Sequence, residues 1–155
     1  MSKRFSWILP DQLAVGSFPE DGAAIFKLRK EGITAVLTLT EEPEIKVPSE
    51  LQHNFVWERV AIPDGYTGGI PSVEQFESAL RIVNRWAKKR HAIYIHCLAG
   101  VGRSPSVCCL YLVANKSMSL DEAIAHVKEQ HSYASPDQHQ VRVMRELLSK
   151  STKAI

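Results

Sequence analysis

A cysteine and an arginine separated by five residues are the side chains in this sequence best suited to chemistry. Cys97 follows an apolar β-type segment, 92–96, and Arg103 precedes Ser104, where a helix can begin. The residues between them are small or apolar and include two glycines, which permit the φ values of a tight loop: Leu98, Ala99, Gly100, Val101 and Gly102. Converging loop amides, the amides of a helix N-terminus and a planar guanidinium all bind phosphate oxygens well. The pattern therefore predicts a phosphate-binding loop made by residues 98–103.

The predicted loop also changes the expected chemistry of Cys97. A thiol at a helix N-terminus beside a guanidinium has its pKa lowered from about 8.5 into a range of ~3.5–7.5. We therefore expect a thiolate at neutral pH, placed as a nucleophile beneath a bound phosphorus atom. The alternative is a buried thiol beside a structural ion pair of Arg103. Nothing structural requires two glycines and an Arg-Ser helix start at this place, so the nucleophile is the favoured interpretation.

The segment His96-Cys97-x5-Arg103-Ser104 resembles the signature of the cysteine-dependent protein tyrosine phosphatase superfamily. The chain length and the surrounding pattern, from about Phe5 to the last predicted helix, resemble its small atypical dual-specificity members. This resemblance implies a single three-layer α/β domain, in which helices flank a central, mostly parallel sheet of four to five strands. It also implies hydrolysis of phosphotyrosine and phosphoserine/threonine in protein substrates through a cysteinyl-phosphate intermediate. Neither a metal nor an organic cofactor is expected.

Such a reaction needs a general acid, because the leaving oxygen must be protonated. The resemblance implies an aspartate in a loop some thirty residues before the cysteine, and Asp64 precedes Cys97 by 33 positions in the Gly/Pro-rich segment 63–71. The alternative for Asp64 is a turn residue before Gly65. Local backbone roles at caps and turns are the better account of four other aspartates: Asp11, Asp21, Asp121 and Asp137.

Further residues have supporting roles under the same resemblance. Ser104 is expected to donate a hydrogen bond to the sulfur of Cys97, with a helix N-cap as the alternative or an additional role. His96 is expected to orient the loop and to support the thiolate, although a structural strand histidine is an equal alternative. Gln138 and Gln140 are both candidates for positioning the hydrolytic water, and for Gln140 a structural role is favoured.

Short apolar segments alternate with amphipathic ones along the chain. The alternation predicts strands over 13–17, 33–40, 55–62 and 92–96. It predicts helices over 21–30, from Ser72, over 107–114, from Ser119 to about 129, and from Pro136 onwards. Ser72 with Gln75 and Ser119 with Glu122 have the spacing of capping boxes. The acidic segment 41–50 is expected to be a surface loop or a short helical turn.

Composition bounds the remaining possibilities. The 155 residues are 45% hydrophobic and carry a net charge of +2, which indicates one domain over 1–155 and disfavours a nucleic-acid partner. The longest apolar run, 107–114, has eight residues, whereas a membrane span needs about 20. Three cysteines without framework spacing and no secretory leader indicate the cytoplasm. No histidine spacing suggests a metal site, and we expect a monomer.

Other enzymes that use a similar loop fit less well. Low-molecular-weight phosphatases and arsenate reductases place the cysteine near the N-terminus, and rhodanese-like phosphatases lack an upstream Pro-Asp loop. The loop interior has no lysine or arginine, which argues against phosphoinositide or RNA 5′-triphosphate substrates. A different class is a phosphate reader that binds phosphopeptides without turnover. Cys97, Arg103 and Asp64 are all present, so the sequence offers no reason for inactivity.

Overall fold

Five strands form the central sheet of this protein, for which a computed structural model describes residues 4–153. The strands are β1 (Phe5–Leu9), β2 (Leu13–Gly16), β3 (Ala35–Thr38), β4 (Val56–Arg59) and β5 (Ile93–His96). They lie in the order β1-β2-β5-β3-β4, with β1 antiparallel to β2 and the other neighbouring pairs parallel. The predicted mostly parallel sheet of four to five strands is therefore confirmed.

Six helices connect and cover the strands. They are α1 (Gly22–Lys30), α2 (Ser49–Asn54), α3 (Val73–Lys88), α4 (Arg103–Asn115), α5 (Leu120–Gln130) and α6 (Gln138–Lys153). Both predicted capping boxes are present, at the starts of α3 and α5. No helix within residues 4–153 is long and apolar enough to cross a membrane.

The helices form one layer on each face of the sheet. Because successive strand residues point to opposite faces, each central strand contributes to two cores. Val15, Leu37 and Ile95 pack in the larger core with α3 to α6, and Ala14, Val36 and Tyr94 pack in the smaller core with α1 and α2. The central strands are buried on both faces, as parallel strands in a three-layer domain usually are.

Two elements, β1 and α2, differ from the sequence-based expectation. The edge strand β1 was not among the predicted strands, and its extended form depends on antiparallel pairing with β2, from Phe5 opposite Gly16 to Leu9 opposite Leu13. Helix α2 occupies 49–54, at the end of the predicted surface loop. Helix α4 begins at Arg103, as the predicted Arg-Ser helix start requires, and so extends the predicted helix 107–114 by four residues toward its N-terminus.

The carboxyl ends of β2, β3 and β5 meet at one edge of the sheet. In the parallel register, Gly16 and Thr38 lie on either side of His96, the last residue of the central strand β5. The loop that starts at Cys97 therefore leaves the sheet between the segments that follow its two neighbours. Ligands of open α/β sheets bind outside this edge.

Candidate active site

The loop from Cys97 to Arg103 joins β5 to α4 and presents free amides to a cavity. Among residues 4–153, no backbone or side-chain group accepts a hydrogen bond from the amides of 98–102. Gly100 adopts a φ of +73°, and a Cβ atom there would lie 2.8 Å from the backbone carbonyl carbon of Gly16. The glycine is therefore required both by the loop conformation and by its close approach to β2.

Cys97 lies at the base of this cavity, where its side chain is almost fully buried. Its Sγ atom is 3.1 Å from the Oγ atom of Ser104. The N-cap of α4 is Gly102, which excludes the alternative that Ser104 caps the helix. The Ser104 hydroxyl is instead within hydrogen-bond distance of the sulfur, as the resemblance implied.

Arg103 is buried, and a carboxylate fixes the plane of its guanidinium. Its Nη1 and Nη2 atoms donate to the two carboxylate oxygens of Glu44, at 2.6 and 2.9 Å. Nη1 also donates to the carbonyl oxygen of Ile62 at 2.9 Å. Burial alone lowers the pKa of Arg103, but the hydrogen bonds and charge of Glu44, with the nearby Cys97 and Asp64, outweigh it and raise that pKa. The guanidinium is thus a fixed positive charge with a defined orientation.

Glu44 is the site residue that sequence reasoning missed. The segment 41–50 is a surface loop, as expected, and leads into α2, but its Glu44 side chain is only 17% exposed and pairs with Arg103, a role that the sequence did not predict. Burial raises the pKa of Glu44, but hydrogen bonding to Arg103 and the charge of Arg59 contribute to a net lowering. The sequence held one indication that Glu44 belongs to the site. An acidic run directly after β3 must lie at the same sheet edge as the loop after β5.

Asp64 also lines this cavity. It precedes a single 3₁₀ turn, Gly65–Thr67, and its Oδ1 atom accepts a hydrogen bond from the Tyr66 amide at 3.1 Å. Its Oδ2 atom lies 3.7 Å from Nη2 of Arg103. The turn interpretation and the site interpretation are therefore compatible, because each uses a different carboxylate oxygen.

His96 is fully buried behind the loop in a chain of hydrogen bonds. Trp57 Nε1 donates to Thr38 Oγ1 at 2.8 Å, and the Thr38 hydroxyl is 2.7 Å from His96 Nε2. This leaves His96 Nδ1 to donate to the carbonyl oxygen of Cys97 at 3.1 Å. Burial lowers the pKa of His96 to about 4, so the ring is neutral at physiological pH. A neutral ring offers no charge to the sulfur, and its contacts favour orientation of the Cys97 backbone.

The two candidate glutamines are clearly separated by the structure. Gln138 is exposed, whereas Gln140 is buried and lines the cavity. A Cβ atom at Gly102 would lie 2.6 Å from Gln140 Oε1, so the amide group packs directly on the loop. Asp137 also lines the cavity. Its Oδ1 atom accepts a hydrogen bond from the backbone N–H of Gln140 at 2.8 Å, which is the local backbone role expected of this aspartate.

The cavity itself has a volume of about 460 Å³ and mostly apolar walls. Leu98, Ala99 and Val101 line one side, and Tyr66 stands almost fully exposed at the rim. In the part of the chain that the structure describes, Arg103 is the only lysine or arginine in the lining. No three His, Cys, Asp or Glu side chains of that part are grouped as a metal site. The arrangement suits one phosphate group with an apolar substituent.

Comparison with known proteins identifies relatives that match most of this chain. A family model for the catalytic domain of dual specificity phosphatases matches residues 17–150. Phosphatidylglycerophosphate phosphatase PTPMT2 of Arabidopsis thaliana is 32% identical over 132 residues, which cover 83% of this chain and 57% of that protein. Dual specificity protein phosphatase 1-A of Xenopus laevis is 27% identical over 121 residues, which cover 75% of this chain and 31% of that protein. The chain therefore spans only about a third to just over half of these relatives.

A solved structure shows the same fold. The crystal structure of Tk-PTP in the active form matches with a TM-score of 0.82 and 26% sequence identity. The match covers 94% of this chain and 97% of the other. The five-stranded sheet and its two helical layers are thus an arrangement that this chain shares with a known phosphatase structure.

Proposed function

Because the chain belongs to the dual specificity phosphatase family, we propose that it hydrolyses phosphotyrosine and phosphoserine/threonine monoesters in proteins through a cysteinyl-phosphate intermediate. One observation carries the proposal. The Cys97 sulfur, the free amides of 98–102 and the Arg103 guanidinium converge on one cavity, which the Asp64 carboxylate also lines at 3.7 Å from Arg103. This is the arrangement that attack on a bound phosphorus atom requires.

In the first step, the thiolate of Cys97 attacks phosphorus and the ester P–O bond breaks. The carboxyl group of Asp64 transfers its proton to the leaving oxygen. In the second step, Asp64 takes a proton from a water molecule that attacks phosphorus, and the P–S bond breaks. Inorganic phosphate is released and the sulfur leaves as a thiolate, stabilised by the Ser104 hydroxyl at 3.1 Å. Gln140, packed on Gly102, is the better placed of the two glutamines to orient that water.

The contacts of Arg103 determine which of its hydrogens remain for phosphate. A guanidinium has five N–H groups, and Glu44 and Ile62 use three of them. Two N–H groups are left, enough for a bidentate contact with two phosphate oxygens. Glu44 acts on the reaction by holding the guanidinium in this orientation.

The lining of the cavity supports a substrate with one phosphate group. Arg103 is the only lining cation among the described residues, so a second phosphate has no partner there. Apolar walls formed by residues such as Leu98 and Val101 accept an aryl or alkyl group next to the ester oxygen. Phosphatidylglycerophosphate is a second candidate, because the relative PTPMT2 is named for that substrate and an apolar wall also suits a lipid.

The free cysteines support a cytoplasmic location. Cys97, Cys108 and Cys109 form no disulfide, and a reducing compartment keeps Cys97 available as a nucleophile.

A substrate comparison tests the proposal directly. We expect kcat/KM for phosphotyrosine and phosphothreonine peptides to exceed that for phosphatidylglycerophosphate in mixed micelles by about tenfold or more, since a single lining cation in the described part of the chain suits a substrate with one phosphate group. Assays contain a chelator and follow release of inorganic phosphate. The reverse ranking would replace the protein substrate with the lipid. A folded protein that binds phosphopeptides but releases no phosphate from any substrate would be a phosphate reader.

Replacing Asp64 tests the general acid. Asp64→Asn keeps an oxygen for the Tyr66 amide and so preserves the turn. We expect kcat/KM, which reports the first step alone, to fall by roughly 10²–10⁴ on phenyl phosphate, a poor leaving group, and much less on p-nitrophenyl phosphate. Asp137→Asn is the matched control, since it alters the other cavity carboxylate and is expected to show no dependence on the leaving group. Equal losses of Asp64→Asn on both substrates would remove Asp64 from this role.

A further inference from the structure

Four consecutive carbonyl oxygens of the phosphate-binding loop accept hydrogen bonds from outside the loop. The bonds are Phe18 N to Leu98 O at 3.2 Å, Arg4 Nη1 to Ala99 O at 2.9 Å, His131 Nε2 to Gly100 O at 2.8 Å and Ser135 N to Val101 O at 2.7 Å. Two donors are backbone amides, which any residue except proline supplies. The other two are side chains, which only particular residues supply, and neither side chain lines the cavity.

These bonds control the direction of the loop amides. The carbonyl of one residue and the amide of the next belong to the same planar peptide unit and point in opposite directions. Holding the carbonyls of 98–101 outward therefore turns the amides of 99–102 toward the cavity. Those amides have no acceptor among residues 4–153, so they are the donors available to a phosphate. A peptide unit that rotates loses one of these donors and points an oxygen at the anion instead.

His131 is fixed at both ring nitrogens. A carbonyl oxygen only accepts, so Nε2 carries the hydrogen that Gly100 O receives. Nδ1 then accepts from the hydroxyl of Ser6 at 2.7 Å, and the ring is almost completely buried. Burial lowers the pKa of His131, and the charge of Arg4 lowers it further against the opposing bond to Gly100. The neutral ring thus keeps the tautomer that the loop requires.

Arg4 is held in a comparable way just before β1. Its backbone amide donates to Ser17 Oγ at 3.0 Å, and its carbonyl accepts from the Ser17 amide at 3.2 Å. Its guanidinium carbon lies 3.8 Å from the centre of the Tyr133 ring, a cation–π contact that fixes the fork. The donor to Ala99 is therefore oriented before any ligand binds.

We propose that His131 and Arg4 are positioning residues, which set the phosphate affinity of the loop by holding the carbonyls of Gly100 and Ala99 outward. The inference rests on the proposed function for its effect on catalysis. Its effect on anion binding does not require turnover. A merely structural role predicts a loss of stability with no particular loss of anion affinity, which makes the two roles separable.

The test compares two histidines that make the same kind of bond. His131→Leu removes the donor to Gly100 O, and His126→Leu removes a bond from His126 Nε2 to the Ile8 carbonyl, 3.0 Å long and located at β1. Calorimetry measures binding of tungstate, a tetrahedral dianion shaped like phosphate. Thermal unfolding and kcat/KM for p-nitrophenyl phosphate are measured on the same samples.

We expect His131→Leu to weaken tungstate binding about tenfold or more and to lower kcat/KM at least as much. His126→Leu is expected to change both within about twofold, whatever its effect on the unfolding temperature. His131→Gln, whose amide can donate to Gly100 O, is expected to recover part of the affinity. Unchanged tungstate affinity in folded His131→Leu, or equal losses in both leucine variants, would overturn the proposal.

Arg4→Met decides the question if His131→Leu does not fold. This variant removes the donor to Ala99 O but keeps the backbone contacts with Ser17. We expect a several-fold weaker binding of tungstate with little change in the unfolding temperature, and unchanged binding would count against the proposal. Wild-type protein that binds tungstate but hydrolyses no phosphomonoester would refute the proposed function alone. Active wild type with unaffected variants would refute this inference alone.

Discussion

Cys97→Ser is expected to reduce kcat for p-nitrophenyl phosphate by roughly 10⁴-fold or more, because removing a nucleophile abolishes the covalent route. A serine hydroxyl is not ionised at neutral pH and so cannot replace the thiolate. The loop amides and Arg103 are unchanged in this variant. We therefore expect tungstate and phosphopeptides to bind with an affinity close to that of wild type. Steady-state kinetics and calorimetry on the same preparation check both parts.

Cys109→Ser is the matched control for this result. Cys109 lies in the core on α4, and burial raises the pKa of its thiol to about 12, so it supplies no thiolate near neutral pH. We expect this variant to keep its kcat at temperatures below its own unfolding transition. A Cys97→Ser protein that retained a substantial fraction of wild-type kcat would exclude the covalent mechanism. A protein that lost phosphopeptide binding as well would indicate that the sulfur also maintains the loop.

Arg103→Lys is expected to lower kcat/KM by roughly 10³-fold, although the positive charge is kept. A lysine is a point charge and cannot bridge two phosphate oxygens while it also satisfies both oxygens of Glu44. The carboxylate of Glu44 and the carbonyl of Ile62 lose the fixed donors that they have in the native site. Kinetics with a good and a poor leaving group, together with tungstate binding, measure the effect.

A second substitution separates the contribution of Glu44. If Glu44 acts only by orienting Arg103, Glu44→Gln lowers kcat/KM in the native background but has little further effect in Arg103→Lys. Arg145→Lys is the control for an arginine-to-lysine change elsewhere, since Arg145 forms an exposed ion pair with Asp121. We expect kcat/KM of Arg145→Lys to stay within about twofold of the wild-type value. If the losses of kcat/KM from Glu44→Gln and Arg103→Lys were additive in the variant that carries both substitutions, Glu44 would have a role separate from orienting Arg103.

The sequence alone determined the local parts of this protein. The loop between Cys97 and Arg103 could be predicted because a strand, a glycine-containing turn and a helix start are encoded by neighbouring residues. The alternation of apolar strands with amphipathic helices predicted the α/β fold for the same reason. Asp64 followed from its position in a Gly/Pro-rich loop and from the family resemblance, and the structure brings it to 3.7 Å from Arg103.

The tertiary structure decided which distant side chains complete the site. Glu44 is 59 positions from Arg103 in sequence and reaches it only because β3 lies next to β5 in the sheet. Arg4 and His131 approach the back of the loop from the edge-strand side and from the end of α5, and no local pattern marks them as partners. Such contacts depend on strand order and helix packing, which follow from burial across the whole chain and not from any one segment. The sequence therefore determined which chemistry the loop can perform, and the packing of the sheet edge decided which residues orient it.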